Sequence, residues 1–480
     1  MSTNDHRLIH AAEASPGKLP PLPQWLEGCI TSHSLRPTNV EAESEKITGD
    51  PLIAYLRTAG TSVSGDVTAE VAFREIDWLL KLAFQSNWVE SPGAGYGEVT
   101  GVVAADDEFG TSSGTTFGAG NLYRTSGLAG VNSGVFLAIA GSGQDVLKVG
   151  AGGTLTDEVS PSVAARIDKA GFQAPAGDIQ AVADGLISTT TDFTAHPELA
   201  VGIPFKIGGR FLEPATRFDT ATLNRGVTPT KIEPNKLTCT DLGAAWAPDL
   251  GAGKTIQILT GDYLDIGRTP ITERAEFTFL DWATSYHIWL AGITCNSMNW
   301  QMDRQSMMRP VFSMQGLTDG TAAAEAAVPL VENGGLSMTT GENLGEIMEA
   351  GLVDEAESFV KSLGLQLENN VQAEGPLNKK HNTRYDRGNA ILRMPMTARF
   401  ATPTRYDRFR SGAQTSFLIP MSDSEAGYML KIHAAKYVEG DVSPSAGRNN
   451  PTEFRGVTQG VKDPITGKMM TLVRMPYLPL

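Results

Sequence analysis

The feature that most constrains this chain is a change of hydrophobic period that occurs twice. In "SGDVTAEVAFREIDWLLKLAF", residues 64–84, Val67, Ala69, Val71 and Phe73 alternate with polar or small neighbours, which predicts a strand with one buried face. Phe73, Ile76, Leu80, Ala83 and Phe84 then fall at helical spacing, with Arg74, Glu75, Asp77 and Lys81 outside it, so a short amphipathic helix is expected directly afterwards. In "GNAILRMPMTARFATPTRYDRFRSG", residues 388–412, Leu392, Met394, Met396, Ala398 and Phe400 alternate in the same manner. Thr402 as a cap, Pro403 at the first helical position and Tyr406 with Phe409 on the inner face predict the second helix. The candidate helix-packing residues are therefore Ile76, Leu80, Phe84, Tyr406 and Phe409.

The segments after the two helices also correspond. A strand, a polar turn and a longer strand are read in "EFTFLDWATSYHIWLAGITCNSMNWQM" (276–302) and again in "SFLIPMSDSEAGYMLKIHAAKYVEGDV" (416–442). Each copy closes on a similar strand, "VFSMQG" or "EFRGVTQG", and "GDPL" precedes the first copy as "GPL" precedes the second. The expectation is a mainly β chain: one β-sandwich or barrel domain present twice, each copy with a single short helix. Copy one (46–94 and 268–320) is interrupted by an insert, copy two occupies 355–480, 321–354 is a linker and 1–45 is an irregular N-terminal arm.

The insert repeats internally. "FGAGNLYRTSGLAGVNSGVFLAIAGSGQDVLKV" resembles "FTAHPELAVGIPFKIGG" joined to "NRGVTPTKIEPNKLTC", with Gly134-Val135 matching Gly226-Val227 and Leu147 matching Leu237. Two small β modules, 95–185 and 186–267, are expected on an outer surface, because only an exposed host loop tolerates an insertion of this size.

A formal charge of −15 opposes a surface that grips nucleic acid, although not one along which nucleic acid slides. Cys29, Cys239 and Cys295 lie far apart without metal-ligand spacing, so reduced, partly buried thiols and an intracellular origin are expected. The N-terminus lacks a signal-peptide pattern, and the longest apolar run, "GVFLAIAG", is far below the ~20 residues of a membrane span. A soluble product is expected.

The catalytic patterns in the chain fail on their context. "DLGAGKTIQI" ends like a phosphate loop, but the leading glycine position holds Pro248, which offers no N–H, and the residues after Lys254 alternate as a strand where a helix is required. "GTSSG" (110–114) lacks the strand and helix of a nucleophile elbow, and "GAGYGE" has the wrong spacing for a dinucleotide loop. The seven histidines show no metal spacing, with His287 and His433 expected as satisfied sheet residues; "ADDEF" reads as a solvated acidic turn, and the Met-rich "NWQMDRQSMMRP" as a strand end and loop covering an apolar contact. No catalytic, cofactor or metal site is expected, and the chain reads as structural.

The phrases "TGDPLIAYLRTAGTSVSGDVTAEVAFREIDWLLKLAF", "EFTFLDWATSYHIWLAGITCNSMNWQM…VFSMQG", "SLGLQLENNV" and "GDV…GVTQGVKDPITGKMMTLVR" occur in order. With them the chain resembles the tail tube (major tail) protein family of long-tailed bacteriophages, in a long form with inserted β modules; "VAFREIDWLLKLAF" departs from the family's usual aromatic and acidic helix start. The resemblance implies a virion protein made in the host cytoplasm, whose rings join their inner strands into one β-barrel and stack into the tube that conducts the genome. It implies as partners the chain itself, stacked rings, a tape-measure protein and DNA in the lumen, and terminator and distal tail proteins, with no membrane and no cofactor. A chain carrying the domain twice closes a pseudo-six-fold ring with three copies, a hexamer being the alternative. An acidic lumen would let DNA slide. The implied ring-stacking loops are "GDPLIAYLRTAGTSVS" and "GPLNKKHNTRYDRG", with Asp50, Pro51, Leu52, Tyr55, Leu56, Arg57, Pro376, Leu377, Lys379, Arg384 and Tyr385 as candidates. Other phage structural roles, in a capsid or baseplate, and a glycan-binding β protein using Trp246 and Trp282 are the alternatives.

Overall fold

In the computed structural model the described residues are 6–46, 52–53, 55–150, 154–243, 246–279, 286–322, 324–327, 330, 335–353, 359–423, 425–444 and 452–480. In chain order the elements that matter here are β1 (His6–Ala12), β2 (Arg36–Glu43), β3 (Leu56–Thr68), α1 (Asp77–Phe84), β4 (Arg166–Gln173), β5 (Glu273–Phe279), β6 (Tyr286–Asp303) and β7 (Val311–Gly316). Next come β8 (Val360–Glu368), β9 (Ile391–Arg399), α2 (Thr404–Ser411), β10 (Gln414–Asp423), β11 (Ala426–Pro444) and β12 (Thr452–Val461). The fold is mainly β, with these two α-helices among the described residues.

The two long strands, β6 and β11, each sit second in a four-stranded antiparallel ladder of the same order: β5-β6-β7-β3 and β10-β11-β12-β9. One constant offset superposes β5-β6 on β10-β11, the one that carries Glu273 onto Thr415 and Ile293 onto Ala435. Even the β-bulges coincide. The register shifts between Glu273 and Ala275 as it does between Thr415 and Phe417, and at Cys295/Ser297 as at Tyr437/Glu439. A bulge re-aims the strand and adds twist, so matching bulges bend both sheets alike. Both helices end on a left-handed residue, Gln85 and Gly412.

β8 then does something neither half could do alone. It pairs with β9 on one side and, from Ser362 to Glu368, with Asp303 to Ser297 of β6 on the other. The two halves are thereby one continuous sheet, covered on its apolar side by a single core that runs from Val67, Leu80 and Phe84 through Trp300, Phe312 and Leu365 to Met396, Ile419 and Phe454.

Several sequence expectations need correction. The N-terminal arm is not irregular: β1 pairs with β5 along its whole length, and β2 pairs with β3. The first strand ends at Thr68, and the stretch from Leu56 onward, expected as loop, is its first half. The helix begins at Asp77, and seven of its eight residues are buried, so it is not amphipathic. Its charged residues are held by partners from distant strands, contacts that no local period encodes. Pro403, and not the expected Thr402, occupies the N-cap position of α2. Cys29 is exposed, whereas Cys239 and Cys295 are buried, and no disulfide joins them.

The insert forms a nine-stranded sheet with two cores. One collects Val102, Phe109, Phe117, Tyr123, Leu147 and Ile167, the other Phe172, Phe193, Phe205, Leu237 and Ile258. β4 runs through both, since Ile167 serves the first and Phe172 the second. A separate three-stranded sheet completes the first core. The matched pairs Gly134-Val135 and Gly226-Val227 each open a strand, and Leu147 and Leu237 are fully buried.

Candidate assembly surfaces

β2 and β3 leave the body as a two-stranded ribbon. All eight residues of β2 and the first four of β3 are exposed, so the ribbon has no core on either face. Such a ribbon is marginal alone in water. It nevertheless carries apolar side chains outward: Val40, Leu52, Ile53, Tyr55 and Leu56 are 53, 74, 60, 47 and 55% exposed. An exposed apolar cluster of this kind marks a surface that meets another protein. Arg57 lies in the ribbon opposite Ala42 and Leu56 opposite Glu43; Asp50 and Pro51 lie outside the described residues.

The second candidate loop is a short hairpin, Val371–Glu374 against Arg384–Arg387, inserted between β8 and β9. It therefore occupies in the second half the place that the tip of the ribbon occupies in the first. Its turn presents Pro376, Leu377 and Lys379, and Leu377 is as exposed as a side chain can be. Arg384 bonds Glu374 across the hairpin. Tyr385 is turned inward instead, 6% exposed, with its hydroxyl donating to Gly292 O at 2.7 Å. It anchors the hairpin rather than presenting a contact. The two loops are neighbours, since Thr61 of β3 donates its N–H to Lys380 O at 2.8 Å.

The candidate packing residues divide by helix. Ile76, Leu80 and Phe84 are fully buried, whereas Tyr406 and Phe409 are partly buried against the same core. Phe409 lies over Gly440, where a Cβ would approach its ring to 2.7 Å. Beneath each helix sits a buried carboxylate. In the first half Glu273 of β5 holds Lys81 at 2.6 Å and His10 at 2.7 Å. In the second, the residue equivalent to Glu273 is Thr415, and Glu349 takes the place of His10, accepting from Arg408 at 2.6 Å, Arg405 at 2.9 Å and Tyr437 at 3.0 Å. Each helix thus carries a cation, Lys81 or Arg408, matched by a carboxylate supplied from a different strand.

Where the insert joins the first half, a cavity of about 560 Å³ is lined by charged side chains. Arg474 is almost wholly buried and pairs with Asp77, Glu90 and Asp262, while Arg74 meets Asp168 of β4 at 2.7 Å. These carboxylates and guanidiniums are paired with one another, so the cavity reads as a joint. Sequence reasoning missed it because its members are scattered from residue 74 to residue 474.

The face of the sheet opposite the core exposes Asn299, Gln301 and Asp303 on β6, Glu368 on β8, Arg393 and Arg399 on β9, Asp441 on β11 and Arg455 on β12. Both signs alternate there, with Glu453 bonded to Lys361 at 2.7 Å. The charge of −15 is therefore not gathered on this face.

"GAGKTIQI" leads into a strand, Gln257–Leu259, that pairs with β4. Lys254 is spent within its own module, on Pro214 O at 3.2 Å and Asp219 at 2.7 Å. His287 and His433 bond Thr278 and Thr471 at 3.1 and 3.0 Å, as satisfied sheet residues do. Trp246 is buried with its indole N–H on Val182 O, which leaves no platform for a sugar; Trp282 lies outside the described residues. No sequence pattern singles out Lys206. Burial, with Arg217 nearby, pushes its ammonium down to about 7, and its Nζ donates to Gly208 O at 2.8 Å. No cluster of metal-ligating residues and no helix long and apolar enough to cross a membrane occurs among the described residues.

Compared with known proteins, residues 3–456 match the model of a family described as phage tail tube protein. No curated protein matches the chain.

Proposed function

Since the chain belongs to the phage tail tube protein family, and is thus a structural component of a virion tail, we propose that it polymerises as stacked rings into the tube that conducts the genome. The observation that carries this reading is the solvent-exposed ribbon of β2 and β3, which shows apolar side chains on a strand pair with no core on either face. Its tip and the hairpin at 371–387 are the ring-to-ring contacts. Residues 46–94 with 268–320, and residues 355–480, are the two repeated domains, with 1–45 and 321–354 contributing strands to them. The modules at 95–185 and 186–267 stand outside the wall.

Two equivalent halves in one chain favour a ring of three copies with pseudo-six-fold symmetry. The polar face of mixed sign lines the channel, where it offers DNA no continuous cationic track. The tape-measure protein fills the lumen before ejection, terminator and distal tail proteins close the ends, and the chain is made in the host cytoplasm. Negative-stain imaging of the purified protein, with mass measurement of isolated rings, tests this: tubes built of trimers are expected. Shells, plates or a persistent monomer would overturn the tube, and rings of six whole chains would overturn the trimer.

A further inference from the structure

The joint between the two halves is also a template for the joint between two chains. Inside the chain, β8 fills the edge of β6 from Ser297 to Asp303. The offset that superposes β6 on β11 carries this edge onto β11 from Glu439 onward, where β11 pairs with β12 on one side and, among the described residues, with no strand on the other. The element equivalent to β8 is Ser32–His33 continued by β2: Ser32 faces Thr68 as Ser362 faces Thr397, and Arg36 faces Ser64 as Gln366 faces Arg393. This element pairs with β3 and with no other strand among the described residues. Each chain thus has one open edge of each kind, at opposite ends of its sheet.

We propose that β11 of one chain pairs antiparallel with residues 32–38 of a second copy, in the register of the internal joint, with Asp441 opposite Arg36, Glu439 opposite Thr38 and Val442 opposite Leu35. The inference rests on the ring reading and specifies its interface. Charge narrows the register. The internal pair at this position is neutral, Asn299 opposite Gln366, whereas Asp441 and Arg36 are exposed, of opposite sign and without an ion-pair partner among the described residues. Opposite charges directly across a ladder attract: a shift by two in one direction sets Arg36 against Ser443 and loses the pair, whereas the shift in the other sets Arg36 against Glu439 and keeps one, so the disulfide pairs below separate these two registers. Ser34 donates its N–H to Asp66 O at 2.8 Å, so the backbone of Leu35 and Pro37 faces away from β3. Pro37 and Pro444 each withhold a donor, so the ladder closes through the remaining backbone groups.

The test uses the full chain with Cys29→Ser. Arg36→Cys combined with Asp441→Cys should, under a mild oxidant, convert most of the assembled protein into covalent multimers on non-reducing gels, because directly opposed strand residues approach closely enough for a disulfide. Asn299→Cys with Gln366→Cys should close within one chain and stay monomeric, and Arg36→Cys with Glu439→Cys, out of register, should give no multimers. Arg36→Asp or Asp441→Arg alone should lower tube yield about tenfold, and the double exchange should restore it. Absence of multimers from the first pair in a protein that still forms tubes, with the internal pair closing, would overturn this register and leave the ring reading standing. Failure of the unsubstituted chain to form rings would overturn both.

Discussion

Glu273→Gln should destabilise the folded chain by about 3 kcal/mol at neutral pH, and the loss should disappear in acid. The carboxylate is 1% exposed, with Lys81 at 2.6 Å and His10 at 2.7 Å. Burial by itself would raise its pKa; Lys81 and then His10 override this and bring it from 4.5 to about 2. A shift of that size is worth about 3 kcal/mol of differential stabilisation of the ionised form. A second route gives a similar figure, since breaking a buried ion pair by removing one partner costs about 3–5 kcal/mol. The folded pKa lies below the unfolded one, so the stabilisation is complete above about pH 4.5 and is lost as pH falls towards 2. Urea unfolding of both proteins from pH 7 to pH 2.5, with tryptophan fluorescence as the signal, measures the gap; Trp78 stacks on His10 at 4.4 Å and reports from the site. A gap that stays constant across the series, or one below about 1 kcal/mol at pH 7, would refute the reasoning. The second half supplies a rescue: His10→Glu with Glu273→Thr reproduces the Glu349–Thr415 arrangement and should recover part of the loss.

Three further outcomes are expected. Shortening the ribbon tip between 46 and 55, or the hairpin turn between 375 and 382, should leave folded subunits that fail to polymerise, read by circular dichroism and electron microscopy; normal tubes would count against the contact. Lys254→Ala should leave assembly intact and cost at most about 1 kcal/mol, since its partner Asp219 is 80% exposed, and nucleotide hydrolysis abolished by this change would show a phosphate site after all. Lys206→Met should raise stability at pH 7 by roughly 3–5 kcal/mol, a gain that fades towards pH 10.5, because the folded pKa of about 7 lies below the unfolded one and burying the charge is costly only while the amine is protonated. Equal gains at pH 7 and pH 10.5 in denaturation curves would exclude that cause.

The sequence by itself determined the mainly β class, the recurrence of strand, helix and long strand, and the failure of "GAGKTIQI" as a phosphate loop at Pro248. All of these rest on local information: a period of two, a period of 3.6, a residue without an N–H. The family resemblance, not the local pattern, offered the residues around 49–64 and 375–388 as candidate ring contacts. Only the tertiary structure decided that residues 6–43 contain strands, because β1 and β2 exist through pairing with β5 and β3 rather than through any alternation of their own. It decided that α1 is buried nearly all round, since Asp77 and Lys81 find Arg474 and Glu273 from the far end of the chain and from the strand beyond the insert. It turned Tyr385 inward, and it joined the two halves through β8. Side-chain pattern is written residue by residue, whereas register and charge pairing are settled only when distant strands meet.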